Sequence, residues 1–151
     1  MIRNKRRKKY KRYARTFCDR VRNDFEKFRL FSTRYPEMRF YTAKGYTTKG
    51  DFSYCDAPTQ GDYTEIAGYC DAEKGYIEIY NFTKEKPDRL KRTIRHECLH
   101  FILGDIGLPN TDDDTLFLLL AIKYSADPYE ILKPDVKERL ETMMNEKGGI
   151  A

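Results

Sequence analysis

The segment His96-Glu97-Cys98-Leu99-His100 constrains this chain more than any other, because it sets its only two histidines four residues apart. On a helix, residues four apart lie on one face, one turn above the other. Two imidazoles placed that way can both reach one Zn²⁺. A glutamate beside the first can take a proton from a metal-activated water. Three fixed residue types at fixed spacing rarely coincide by chance in a chain with so few histidines. His96 and His100 are therefore read as metal ligands and Glu97 as a general base. Cys98 lies two residues from each histidine, about 200° around the helix, and is read as core.

The pattern around the motif agrees with a helix. Leu90, Ile94, Cys98 and Ile102 form an apolar stripe at steps of four. Pro87-Asp88 can open the helix, and Gly104 or Gly107 can end it. Upstream, Tyr13, Phe17, Val21, Phe25 and Phe28 predict a first helix over about 10–31. From Met38 to Asn81, aromatic and β-branched residues are punctuated by Gly45, Gly50, Gly61, Gly68 and Gly75. This predicts three or four short antiparallel strands, the clearest being Tyr76-Ile77-Glu78-Ile79-Tyr80 after a turn at Ala72–Gly75. Downstream, Pro109-Asn110-Thr111 reads as a turn. A buried helix is expected over about 112–125, Asp127-Pro128 reads as an N-cap followed by Pro at a first helical position, and a last helix is expected over about 134–147 with Val136, Leu140 and Met143 inward. The fold class expected is α+β.

At 151 residues the chain is expected to form one domain. Its longest strongly apolar run, Leu116 to Ile122, is far too short to span a bilayer. No apolar stretch follows the basic N-terminus, so no secretory signal is read and a cytoplasmic location is expected. Cys18, Cys55, Cys70 and Cys98 include no C-x-x-C pair and are expected to be free thiols. The net charge of +5 is uneven: residues 1–15 hold nine Lys or Arg and no acid, leaving the remainder at −4. A block of like charge is expected to be a disordered tail, with residues 16–151 forming the domain. Such a block can also bind nucleic-acid phosphates, and Tyr10 and Tyr13 could stack on bases or serve the helix that follows.

Sheet, then H-E-x-x-H helix, then a second helix after a short turn is the minimal zincin layout. Over about Ala67 to Tyr129 the chain resembles small zinc metallopeptidases of the SprT-like and ImmA/IrrE-like kinds. Small proteins of this look are frequent on bacteriophages and mobile elements, which the resemblance implies for this chain as well. SprT-like enzymes take a third histidine downstream, and this chain has none. The third protein ligand is then a carboxylate or is missing; the first places the chain nearer the gluzincin pattern, where an acid on the next helix completes the site.

Geometry narrows that choice. His100 lies roughly 6 Å of rise before the helix end, so an antiparallel partner returns to its level within about a turn. That turn is Asp112-Asp113-Asp114. Asp113 shares helical spacing with Phe117 and Leu120 and is favoured; Asp114 comes next, then Asp112, with Asp105 a weaker candidate. Acids at a helix start also serve as caps and dipole partners, so not all three are needed at a metal.

The function expected is zinc-dependent peptide hydrolysis. Tyr124 could stabilise the oxyanion, Arg92 could line the cleft, and a peptide could add as a strand along an edge formed by Tyr76–Tyr80. The substrate would be a protein or peptide, and a DNA-associated protein if the basic segment reaches nucleic acid. The alternative is a non-catalytic nucleic-acid-binding or host-interaction protein on a zincin-like scaffold. No membrane partner is expected.

Overall fold

A computed structural model describes residues 2–25, 28, 33–48, 59–60, 63–112, 114–126, 138 and 142. The architecture is α+β. In chain order the described elements are α1 (Ile2–Asp24), β1 (Glu37–Phe40), β2 (Gly45–Thr48), β3 (Thr59–Gln60), β4 (Tyr63–Ile66), β5 (Gly68–Asp71), β6 (Tyr76–Ile79), α2 (Pro87–Asp105) and α3 (Thr115–Lys123).

The strands form two three-stranded sheets, ordered β1-β6-β5 and β2-β4-β3. β6 pairs antiparallel with β5, Cys70 facing Ile77 and Gly68 facing Ile79. It pairs parallel with β1, Met38 facing Ile77 and Phe40 facing Ile79. The mostly antiparallel expectation holds, with β1 and β6 the one parallel pair among the described strands: the chain visits β2 to β5 before β6 returns beside β1, a crossover long enough for parallel pairing. A correction concerns position. Tyr76–Tyr80 is no edge, because β6 is the middle strand, with β1 and β5 on its two sides among the described residues. Ile77 and Ile79 on its inward face are fully buried, which suits a central strand better than a margin. The expected turn is present. Gly75 sits at φ +83°, a left-handed conformation that glycine adopts without a Cβ penalty, and its N–H donates to the Asp71 carbonyl at 2.8 Å.

The basic segment is helical, which corrects the expectation of a disordered tail. α1 begins at Ile2, not near Tyr10, and buries Tyr10, Ala14, Phe17, Cys18 and Val21 along one face. Tyr10 meets Phe82 edge-on at 5.7 Å, and Phe17 meets Tyr124 at 5.5 Å. The Arg6 guanidinium lies over the Phe82 ring at 4.8 Å. Like charge disorders a segment only when too little apolar surface can be buried to offset the lost entropy, and here the stripe continues into the basic run.

α2 lies across the sheet and packs against β5, β6, α1 and α3. Pro87 starts it, and the chain leaves through Gly107 at φ +77°, with Gly107 N–H donating to Gly104 O at 3.1 Å. The stripe Leu90, Ile94, Cys98 and Ile102 is buried, so Cys98 is core as read. α3 is shorter than expected. It buries Phe117, Leu120 and Ala121, while Leu116, Leu118 and Leu119 are only half-buried. Cys18, Cys70 and Cys98 are free thiols. Cys55, Asp127-Pro128 and the last expected helix lie outside the described residues, apart from Glu138 and Thr142. Among the described residues no helix is long and apolar enough to cross a membrane.

Candidate metal centre

α2 carries His96, Glu97 and His100 past the start of α3, and both imidazoles are fixed from their far sides. His96 Nδ1 donates to the Ala126 carbonyl at 2.8 Å, and His100 Nδ1 donates to the Asn110 carbonyl. A carbonyl can only accept, so each Nδ1 carries the hydrogen, and a ring in its neutral form keeps its lone pair on Nε2. Asn110 and Ala126 lie at opposite ends of α3, so the segments flanking one short helix orient both rings. Phe117 supports them from α3. It stacks on His100 at 4.1 Å and meets His96 edge-on at 5.0 Å.

The two Nε2 atoms face each other at 3.2 Å. Asp112 Oδ1 stands 2.9 Å from His100 Nε2 and 3.1 Å from His96 Nε2. Three electron-rich atoms thus form a nearly equilateral triangle. Lone pairs so placed repel one another unless a proton or a cation lies among them. Burial pushes the Asp112 carboxyl up, but with a proton on the facing Nε2 atoms, hydrogen bonds and charge from His100 and His96 outweigh it and hold the group well below the usual carboxylate range.

Glu97 lies beside this triangle, its Oε1 4.0 Å from His96 Nε2. It is 5% exposed, and its Oε2 has no hydrogen-bond partner. Burial pushes its carboxyl up to about 7, with His100 opposing and Asp112 adding to the shift. Its room comes from β5. A Cβ on Gly68 would stand 2.9 Å from Glu97 Cγ, so only glycine lets the strand lie this close. His96, Glu97 and His100 could together hold a metal ion, their ligand atoms lying within 4.8 Å of one another.

The remaining candidates fall as follows. Asp113, the favoured third ligand, lies outside the described residues. Asp114 precedes α3, and its carboxylate accepts from Thr111 N–H at 2.7 Å and Thr111 Oγ1 at 2.9 Å, turned into its own loop. Asp105 pairs with Arg34 at 2.8 Å, away from the histidines. Asp112, ranked last of the triplet, is the acid at the imidazoles. α3 begins at Thr115, so Asp112 and Asp114 lie ahead of the helix and helical spacing does not place them. Tyr124 donates to Asp24 at 2.6 Å and is buried against Phe17, which removes it as an oxyanion partner. Arg92 is exposed on α2. Sequence reasoning missed the carbonyls of Asn110 and Ala126, which no side-chain pattern could announce, and the close approach of Gly68.

Searches against protein-family models, curated proteins and solved structures give no match to this chain.

Proposed function

We propose that this protein is a zinc-dependent peptidase, with His96, His100 and Asp112 holding the ion and Glu97 serving as general base. The observation that carries this reading is the triangle of His96 Nε2, His100 Nε2 and Asp112 Oδ1. A tetrahedral zinc with bonds of about 2.0–2.1 Å separates its ligand atoms by roughly 3.3 Å. The 3.2 Å between the imidazole nitrogens fits that spacing, and the carboxylate oxygen needs to retreat by only a few tenths of an ångström. Two nitrogens and one oxygen are a donor set suited to catalytic zinc, with a fourth position for water. The order of sheet, H-E-x-x-H helix and following acid also fits the gluzincin-type layout.

When bound, the ion would acidify a water and polarise the scissile carbonyl. The chain's residues supply the rest. Asn110 and Ala126 hold the imidazoles in one tautomer, so neither ring must reorganise. Glu97, with its carboxyl near 7 and one oxygen unpartnered, is suited to accept a proton near neutral pH and return it to the leaving amine. Among the described residues the outer side of β5 carries no further strand, and Gly68 brings that strand to Glu97. An extended peptide added there would run past the base, which replaces the Tyr76–Tyr80 edge with Gly68–Asp71.

The test is Glu97→Gln assayed on a library of internally quenched peptides. The variant should retain its metal and lose hydrolysis by at least a hundredfold, the scale on which a general base acts. Hydrolysis that survives the substitution would reject the peptidase reading.

A further inference from the structure

The most strongly charged surface outside the metal centre is the solvent face of α1. Lys5, Lys8, Lys9, Lys11, Arg12 and Arg15 are all exposed. At 100° per residue they occupy the side opposite the buried stripe of Tyr10, Ala14, Phe17 and Val21. They span about 15 Å of helix axis. Among the described residues, Lys5, Lys8, Lys11 and Arg12 have no acidic partner.

This array is locally unfavourable. Like charges three and four apart destabilise a helix, and cations at its N-terminus oppose the macrodipole, with no acid in the first turn to offset them. The helix forms because its apolar side is anchored in the core. That anchoring also holds the cations in one rigid line. A partner with a regular line of negative charge complements it.

We propose that the exposed face of α1 docks on double-stranded DNA, gripping phosphates without reading sequence. A duplex carries a charge about every 3.4 Å along each strand, so a 15 Å line of cations meets several phosphates at once. Single strands are bound through aromatic platforms spaced between cations. The exposed residues of α1 include no aromatic side chain, and the exposed Tyr35 beside it is already stacked by Arg15 and tied to Asp19 through its hydroxyl. Tyr10 is buried, and Tyr13 is engaged by Arg95, which donates to its hydroxyl at 2.6 Å. A membrane surface would need apolar side chains beside the cations, and among the described residues the exposed positions of α1 hold only polar and charged side chains. The proposal stands apart from the metal centre and does not depend on it.

The test is fluorescence anisotropy of a short mixed-sequence duplex DNA titrated with the full chain over a range of salt. The comparison protein carries Lys5→Gln, Lys8→Gln, Lys11→Gln and Arg12→Gln together. These side chains are exposed, and a thermal melt checks that the variant stays folded. Wild type should bind the duplex with affinity falling steeply as salt rises. In the variant the slope of log affinity against log salt should flatten by about three to four, near 0.9 for each phosphate no longer neutralised. The proposal is overturned if wild type fails to bind at low salt or the variant keeps the wild-type slope. It is equally overturned by tighter binding of single strand, or by binding of anionic phosphatidylserine vesicles in place of duplex.

Discussion

Glu97 is the residue on which the proposed chemistry turns, and its environment makes a testable statement about stability. Burial raises its carboxyl from 4.5 to about 7 in the folded chain. Between those values the folded state binds a proton that the unfolded state has released. Its contribution is therefore fully present below about 4.5 and is lost as pH rises through about 7. In metal-free protein, Glu97→Gln removes this dependence. The melting temperature of the variant relative to wild type should rise from about pH 5 to about pH 8; a difference that stays flat would contradict the buried carboxylate. Gly68 is the second such residue. The Cβ of Gly68→Ala would meet Glu97 Cγ at 2.9 Å, Thr93 Cγ2 at 3.0 Å and the Glu78 carbonyl at 3.1 Å. The backbone oxygen cannot step aside cheaply, so a loss of about 1–3 kcal/mol is expected from chemical denaturation. Peptide hydrolysis should fall as Glu97 is displaced, while metal content is kept. Unchanged stability and activity would show that the strand has slack. The motif residues were legible because spacing on a helix is local. Gly68 was legible only as a turn or strand glycine, because the residue it makes room for lies 29 positions away.

At the scale of elements, α1 separates what local pattern reveals from what it hides. Its apolar spacing was readable from Tyr13 to Phe28, but the run of cations before it outweighed Tyr10 and Ala14. Those two residues complete the stripe only because Phe82 and α2 offer them a surface. The same non-local dependence explains the strands. Alternation marks Tyr76–Ile79 as a strand, yet nothing within it says that β1 will pair on one side and β5 on the other. The start of α3 is another case, since the helix begins only at Thr115 and Asp112, in the turn before it, reaches the histidines. Deleting residues 1–15, harmless if they were a tail, removes Tyr10 and Ala14 from the core. Emptying one buried aromatic position alone costs about 3–5 kcal/mol, a large share of the roughly 5–15 kcal/mol that holds a domain together. Circular dichroism should show the truncated chain melting far lower or failing to fold. A truncated chain as stable as the full one would restore the disordered tail.

For the molecule as a whole, the α+β class was legible from the succession of periods along the chain, while the division into two sheets was not. The assembled structure joins two features that the sequence presents separately. One is the triangle of His96, His100 and Asp112, the proposed metal ligands, oriented by segments at both ends of α3. The other is a rigid basic helix face, pinned to α2 through Ala14 and Cys98, whose thiol points at the Ala14 carbonyl at 4.0 Å. Everything proposed for the first feature requires that His96, His100 and Asp112 share one zinc ion. Elemental mass spectrometry of purified, zinc-loaded and dialysed protein tests this, comparing wild type with His100→Ala, Asp112→Ala, Asp113→Ala and Asp114→Ala, each checked for folding by its melt. About one zinc per chain is expected in wild type and in the Asp113 and Asp114 variants, and loss of zinc from the His100 and Asp112 variants. Zinc retained in full by Asp112→Ala, or absent from wild type, would contradict the shared site.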